Sequence, residues 1–170
     1  MTWRVGCDSC THSTSCIETL NKVSLLAQYS KENILKTSSG RYKLGDLGEA
    51  QLLAQVTSAI KSNSDSRYRP LELTALERGD NEALPDMKTA DVFSLGVVGW
   101  ELMQQCRAPR EDEDGWSELR QGEATFRDGD FSAETKEMVS AMLSADPKKR
   151  PSADELVSKW LLSEQELDLM

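Results

Sequence analysis

The most continuous apolar stretch of the chain runs over residues 90–103. Val, Phe, Leu, Trp and Met dominate this stretch, and Asp91, Ser94 and Glu101 are its main polar residues. A helix that is apolar nearly all round belongs in the centre of a domain, because none of its faces suits water. The pattern therefore predicts a central, buried helix over residues 90–103.

Shorter amphipathic patterns follow the central stretch. Residues 116–121 are predicted to form a short helix, and another helix is predicted to begin near Ser132, with apolar residues spaced three and four apart. A last helix follows Pro151, where Ser152-Ala153-Asp154-Glu155 matches a capping box. In such a box the Ser and Glu side chains each satisfy an end amide. The second half of the chain is therefore predicted to be helical.

The first half of the chain has weaker patterns. Residues 1–16 are rich in Ser, Thr and Cys and lack a period, which predicts disorder. Residues 17–27 are predicted to form a short helix, and the polar residues 51–69 a mobile surface loop. Two strand-like segments, residues 34–35 and 42–44, flank a Thr-Ser-Ser-Gly turn and predict a β-hairpin. Apart from this hairpin, the chain is predicted to be mainly α.

Length and charge narrow the classes of function. One domain is expected from 170 residues, and a net charge of −9 argues against binding to nucleic acid or acidic membranes. The acidic run over residues 111–114 is predicted to be a solvated loop. No apolar run reaches the ~20 residues that span a bilayer, and the first residues do not resemble a signal peptide. We therefore expect a soluble, intracellular protein with reduced cysteines and no transmembrane segment.

The cysteines cluster at the start of the chain. Cys7, Cys10 and Cys16, with His12 among them, have the ligand chemistry that zinc requires. The spacing is poor, however, because a single residue separates Cys10 from His12 and leaves little chain to wrap a tetrahedral site. We therefore expect an unstructured leader that is incidentally rich in cysteine, and no zinc.

Several short motifs occur in a characteristic order along the chain. Asn33 is followed thirteen residues later by Asp46-Leu47-Gly48, and in protein kinases an Asn and the Asp of a D-[FL]-G turn hold Mg²⁺ against the ATP phosphates. Residues 67–72 fall where kinases have A-P-E. Residues 91–96 match D-[VI]-[WF]-S-[LF]-G, and residues 146–152 match D-P-x-x-R-P-[ST]. By these motifs and their spacing, the chain resembles the protein kinase family.

The resemblance implies roles for individual residues. Asn33 and Asp46 would be the magnesium ligands, with Mg-ATP as the cofactor of a full-length parent. Glu72 and Arg150 would form a buried ion pair, and Asp91 would hydrogen-bond the backbone of the catalytic loop. These last three residues are therefore expected to be structural.

Further text resembles one branch of the family. The stretch Gly115-Trp116-Ser117-Glu118-Leu119-Arg120-Gln121-Gly122, together with Asp65-Ser66-Arg67-Tyr68 and the D-L-G variant, is similar to the Wee-type inhibitory kinases. These restrain cell division in the nucleus or cytoplasm by phosphorylating cyclin-dependent kinases. The resemblance implies a kinase C-lobe over residues 31–162, helical except for a short β-hairpin that carries the D-L-G turn. Residues 1–30 form a leader that does not match, disordered or weakly helical, and residues 163–170 a tail.

The amino-acid sequence before Lys31 departs from the motifs of the kinase family. A catalytic loop reads H-x-D-x-K-P-E-N, and here Gln28 occupies the position of the base Asp and Ser30 that of the loop Lys. No glycine lies between Gly6 and Gly40, so no Gly-rich loop precedes the catalytic region and the N-lobe is expected to be absent. Phosphoryl transfer depends on positioning and electrostatics, which two magnesium ligands cannot supply alone. We therefore expect this chain alone to lack a catalytic residue, to be inactive and to bind Mg-ATP weakly or not at all.

Three interpretations fit these departures. We favour an incomplete form of a Wee-type kinase, because the kinase pattern is lost abruptly just before Lys31. A second interpretation is a non-catalytic, kinase-like lobe that acts as a protein-interaction module, with a cyclin-dependent kinase or an N-lobe as its partner. A third is a binding module with residual affinity for nucleotide or metal.

Overall fold

A computed structural model of the chain describes residues 23–24, 31–38, 42–45, 51–52, 65–80, 85–127, 129 and 131–160. Within these residues the architecture is mainly helical, which is compatible with a helical kinase lobe. The helices are α1 (Leu71–Arg78), α2 (Met87–Gln104), α3 (Trp116–Arg120), α4 (Ala133–Met142) and α5 (Ala153–Trp160). The strands are β1 (Val23–Ser24), β2 (Ile34–Lys36), β3 (Tyr42–Leu44) and β4 (Gln51–Leu52), and 3-10 turns span Lys31–Asn33 and Pro147–Lys149.

The strands form two separate antiparallel pairs. In the pair of β2 and β3, Ile34 lies opposite Leu44 and Lys36 opposite Tyr42. This pair coincides with the predicted strand segments, whereas the Asp46-Leu47-Gly48 turn lies outside the described residues. Strand β1 pairs with β4, with Val23 opposite Leu52.

The pair of β1 and β4 corrects two predictions. The helix expected over residues 17–27 is wrong at Val23–Ser24, and the loop expected over residues 51–69 is wrong at Gln51–Leu52, because both segments are strands. The β-branched Val23 favours a strand. The strand with which it pairs lies far along the chain, and a local pattern of hydrophobic residues cannot indicate so distant a partner. The rest of residues 17–27 lies outside the described part of the chain.

The loop prediction also fails at its other end, over residues 65–69. Arg67, Tyr68 and Arg69 are buried, with 9%, 8% and 7% of their surfaces exposed. Their polar side chains suggested a surface position, but Tyr68 bonds to the buried Glu101, and the two arginines pair with carboxylates at the surface. This segment therefore belongs to the core of the domain and is not a mobile surface loop.

The central helix is confirmed and is longer than predicted. Helix α2 begins three residues before Ala90, because the side chain of Asp86 accepts a hydrogen bond from the amide of Lys88 at 2.9 Å and caps the first turn. Phe93 and Val97 are completely buried along it. The main hydrophobic cluster surrounds this helix: Tyr68, Phe93, Val97, Val98, Met103, Ala108, Leu119, Val139 and Leu143.

Helix α2 packs closely against α4. A Cβ atom on Gly96 would lie 2.9 Å from the Cβ of Met142, and one on Gly99 would lie 3.0 Å from a methyl group of Val139. Contacts this short do not occur between real side chains without movement, so glycine at these positions allows the two helices to approach each other. The approach places α4 over the centre of α2.

The last two helices both begin at a serine cap, of which the sequence predicted the one at Ser152. Ser132 accepts the amide of Thr135 at 3.2 Å at the start of α4. At α5, the Glu155 carboxylate accepts the amide of Ser152 at 2.7 Å and the Ser152 hydroxyl accepts the amide of Glu155 at 3.2 Å. These reciprocal bonds are the capping box. The short helix predicted at residues 116–121 is also present, as α3.

Helix α1 was not predicted. It follows Pro70 and ends at Gly79, which has a positive φ of 78°. The amide of Gly79 bonds to the carbonyl of Leu76 at 3.1 Å, and that of Asp80 to Ala75 at 2.9 Å. Proline before a helix and glycine after it are typical boundary signals. Both signals were present in the sequence, at Pro70 and Gly79.

Candidate functional site

The candidate magnesium site begins at the pair of β2 and β3. Asn33 is half-buried and ends the 3-10 turn that leads into β2. Its carbonyl accepts the amide of Gly45 at 2.7 Å. The residue before Asp46 is therefore hydrogen-bonded to Asn33.

Three other predicted site positions lie outside the described residues. They are Asp46, predicted as the second magnesium ligand, and Gln28 and Ser30, predicted to stand in the positions of the base Asp and the loop Lys. Cys7, Cys10, Cys16 and His12 also lie outside. Within the described part of the chain, no group of three or more His, Cys, Asp or Glu residues is arranged to hold a metal ion.

Glu72 and Arg150 lie together, although 78 residues separate them. The guanidinium binds the carboxylate through two nitrogen–oxygen contacts, of 2.5 and 3.1 Å. Arg150 also donates to the carbonyls of Ser144 at 2.8 Å and Thr89 at 3.1 Å. The Arg150 side chain is 1% exposed and that of Glu72 14%. This bidentate, buried ion pair, with the bond to Thr89, connects α1 to α2 and to the chain after α4.

Asp91 lies in the first turns of α2, and its surface is half-buried. The catalytic-loop positions that the family resemblance assigns to it as partners, at residues 26–30, are outside the described residues. Its expected role therefore stays a prediction.

A second buried arginine was missed. Arg120 ends α3 and is 1% exposed. It donates from Nε to the carbonyl of Arg69 at 2.8 Å, and from Nη2 to those of Ser66 at 2.6 Å and Arg67 at 2.8 Å. Nη1 donates to the carbonyl of Trp116 at 3.1 Å. Burial lowers the pKa of Arg120 to about 9, which leaves the guanidinium charged at neutral pH.

Two aromatic rings complete the surroundings of Arg120. Its guanidinium carbon lies 4.1 Å from the centre of the Trp116 ring and 5.9 Å from that of Phe93. The indole N–H of Trp116 donates to the Ser66 carbonyl at 3.2 Å. The W-x-x-L-R-Q-G stretch thus contains a buried arginine that binds backbone carbonyls and stacks on a tryptophan. In the sequence, this stretch was notable only for its similarity to the Wee-type kinases. An arginine within a helix that carries a tryptophan four residues earlier was the available signal.

A buried carboxylate contacts Tyr68, which belongs to the segment of residues 66–69 that Arg120 binds. Glu101 is 2% exposed, and both of its oxygens lie 3.2 Å from the hydroxyl of Tyr68. It also accepts the amide of Ala108 at 2.8 Å. Burial, and next the charge of Glu101, raise the pKa of Tyr68, so its hydroxyl remains a donor. An acid near the end of the apolar stretch, among residues that are otherwise apolar, could have indicated this bond.

Ion pairs surround the acidic run. Residues 111–114 are exposed apart from the side-chain contact of Glu111 with Arg78, as the prediction of a solvated loop requires. Arg69 pairs with Glu77, and Arg67 with Asp65 at 2.5 Å. Burial lowers the pKa of Arg69.

No helix in the described residues is both long and apolar enough to cross a membrane.

Comparison with known proteins defines the class of this chain. The family model described as "Protein kinase domain" matches residues 30–161, which is most of the chain. The chain therefore belongs to the protein kinase family, whose members in general use Mg-ATP.

The similar proteins include several of the Wee type, and the chain belongs to the Wee-type branch of the protein kinase family. Wee1-like protein kinase 2 from Danio rerio is 34% identical over 75% of this chain, and a Wee1-like protein kinase from Arabidopsis thaliana 31% identical over 75%. A probable protein kinase from Dictyostelium discoideum is 31% identical over 76%. The matches cover only 22%, 23% and 13% of those proteins, so the chain spans a minor part of their lengths.

Proposed function

We propose that residues 31–162 are the C-lobe of a Wee-type kinase that transfers phosphate from Mg-ATP to a cyclin-dependent kinase. In this proposal Asn33 and Asp46 hold the magnesium ion. The observation that carries it is the 2.7 Å hydrogen bond from the Gly45 amide to the Asn33 carbonyl, because it ties the first ligand to the residue before the second. Amide and carboxylate oxygens are the ligands that Mg²⁺ prefers.

The protein groups supply positioning. Bound Mg²⁺ would neutralise charge on the ATP phosphates during transfer. Asn33 is placed by the 3-10 turn and by the pairing of β2 with β3, so its position follows from backbone hydrogen bonds. The ion pair of Glu72 and Arg150 fixes the start of α1, at the end of the segment that follows Asp46-Leu47-Gly48.

We further propose that these residues alone do not complete a kinase. Gln28 cannot accept a proton from a substrate hydroxyl as an aspartate does, and Ser30 cannot offer the positive charge of a lysine. A Gly-rich loop, a strand lysine and a helix glutamate are also needed over the ATP phosphates. The activity therefore requires these parts from an N-lobe, and the isolated chain binds Mg-ATP weakly or not at all.

A chimera tests the proposal. The N-terminal part of Wee1-like protein kinase 2 from Danio rerio, through its catalytic loop, would be joined to residues 31–162 of this chain. We expect the chimera to phosphorylate a tyrosine of a purified cyclin-dependent kinase, as measured by mass spectrometry, and the isolated chain not to do so.

The matched controls are Asn33→Ala and Asp46→Asn in the chimera, each of which should abolish transfer by removing a magnesium ligand. A folded chimera without activity, alongside an active parent enzyme, would contradict the kinase proposal. Phosphate transfer by the isolated chain that disappears in Asp46→Asn would contradict the proposed incompleteness.

A further inference from the structure

The strongest unexplained feature of the fold is the environment of Arg120. Its guanidinium is buried, yet no salt bridge joins it to a carboxylate within the described part of the chain. A buried cation without a partner is costly, so its charge must be stabilised by other groups. Backbone carbonyl dipoles and the face of an indole ring provide that stabilisation here.

The carbonyls come from one short segment. Those of Ser66, Arg67 and Arg69 all point at the same guanidinium, which means that the backbone of residues 66–69 curves around Arg120. The amide of Tyr68 bonds back to the carbonyl of Asp65 at 3.1 Å within this curve. Because the contacts are to the backbone, they specify the path of the chain and not its side chains.

Only the shape of arginine fits this arrangement. A guanidinium is planar and presents its N–H groups in a fixed fork, so one side chain can serve carbonyls that lie in different directions. A lysine would keep the positive charge but would concentrate its donors at one atom. The Trp116 indole adds a second donor to the Ser66 carbonyl from the same short helix.

The location of the segment gives the contact a functional meaning. Residues 66–69 end the activation segment, which in a kinase runs from the D-[FL]-G turn to the A-P-E glutamate, here Glu72. Arg150 fixes that glutamate from one side. Arg120 and Trp116 hold the four residues before Pro70 from another.

We infer that Arg120 is a positioning residue that anchors the end of the activation segment to α3 through its backbone. Trp116 supports it by stacking and by its own bond to Ser66. The inference rests on the proposed function only in naming the segment by its role in a kinase. The anchor itself acts in the isolated chain.

Hydrogen exchange of the full chain, followed by NMR, tests the anchor. The reporters are the amides of Arg67 and Tyr68, which bond to the side chain and carbonyl of Asp65. In Arg120→Lys we expect both to exchange at least about tenfold faster, because charge-assisted bonds to the carbonyls are lost. The amide of Leu143, bonded to Val139 at 3.0 Å in the core, should keep its rate.

Two further variants complete the design. Arg107→Lys is the matched control, because Arg107 is an exposed arginine bound to Glu32, and it should leave both reporter amides unchanged. Trp116→Phe keeps a ring beneath the guanidinium but removes the indole donor, and should accelerate the same two amides by a smaller factor.

Unchanged exchange at Arg67 and Tyr68 in Arg120→Lys would overturn the anchor, since the charge alone would then suffice. Equal acceleration at Leu143 would also overturn it, since the effect would be general loosening. If Arg120→Lys fails to fold, Trp116→Phe decides: acceleration confined to the two reporters supports the anchor, and none contradicts it. The exchange result needs no phosphate transfer, so an inactive chimera would contradict the proposed function without affecting this test.

Discussion

Arg120 and Arg150 are two buried arginines in one core, and they are held in different ways. Both guanidinium groups face the ring of Phe93, at 5.9 and 4.8 Å from its centre. Arg150 binds the carboxylate of Glu72, whereas Arg120 is surrounded by carbonyl oxygens of residues 66, 67, 69 and 116. Arg150 has a carboxylate in addition to two backbone carbonyls, whereas the oxygen partners of Arg120 are all carbonyls, which every residue carries.

This difference decides what each contact requires of the sequence. An ion pair requires an acid at one position and a base at another, so both ends can be recognised in a motif. A backbone anchor constrains only the residue that donates. The two regions also differ in what a mutation leaves behind: an uncompensated charge in one, and unpaired but neutral carbonyls in the other.

The largest expected effect comes from breaking the ion pair. Glu72→Ala leaves Arg150 buried without its anion, and we expect the free energy of unfolding to fall by ~3–5 kcal/mol. Denaturant-induced unfolding measures this loss. The matched control is Glu32→Ala, which removes an exposed partner of Arg107 and should change stability little.

The double variant Glu72→Leu with Arg150→Met sharpens the same comparison. Replacing both partners with apolar groups should recover a large part of the loss, because no buried charge remains. Arg120 offers no such compensating variant, since its partners are backbone groups. An unchanged midpoint in Glu72→Ala would contradict the assignment of this pair.

A middle-sized effect is expected at Glu101, whose donors are one side chain and one backbone amide. Tyr68→Phe removes the hydroxyl, and we expect a loss of about 1.5–3 kcal/mol, because a charged acceptor loses a donor. Denaturant unfolding at neutral pH measures it. The adjacent ring packing is retained, so Tyr68→Phe isolates the bond from the burial of the ring.

The buried Tyr68 hydroxyl also has an alkaline signature, because burial first, and next the charge of Glu101, raise its pKa. The pKa of Tyr68 is raised in the folded chain, so above pH ~10 the unfolded state loses a proton that the folded state keeps. Its contribution is therefore present below that pH and declines as pH rises further. Tyr68→Phe should flatten this part of the stability profile, and an identical alkaline slope in both proteins would contradict the raised pKa of Tyr68.

The smallest effect is expected at Glu155, where both partners lie within one exposed helical turn. The hydrogen bonds from Ser152 lower the pKa of Glu155. The folded state thus gives up this proton more readily than the unfolded state, so the contribution is present above pH ~4.3 and is lost as pH falls through the folded value. A titration followed by NMR should show the lowered pKa, and Ser152→Ala should return it towards the ordinary value.

The sequence predicted the elements whose causes are local. Helices α2, α4 and α5 were recognised because their apolar periods, and the capping box at Ser152, lie within a few residues. The strands β1 and β4 were missed, because each is short and finds its partner almost thirty residues away. The burial of Arg67 and Arg69 was missed because it comes with packing against α3, whose Arg120 binds their carbonyls from more than fifty residues away.

The residues of the candidate site likewise divide into those that motifs predicted and those that only the fold brings together. Glu72 and Arg150 were named from two motifs, and the tertiary structure brings their side chains together. The family and its Wee type were also recognised from motifs, because such residues act as identified side chains at characteristic spacings. These are the features that the sequence by itself determined about this protein.

Only the tertiary structure decided where Arg120 points and what Glu101 holds. Every residue has a backbone carbonyl oxygen, so the amino-acid types at positions 66–69 do not indicate that these oxygens face a guanidinium. Folding supplied that information by packing α3 and α2 around the segment. Side-chain partners can be recognised along a chain, whereas backbone partners are defined only when the chain has closed around them.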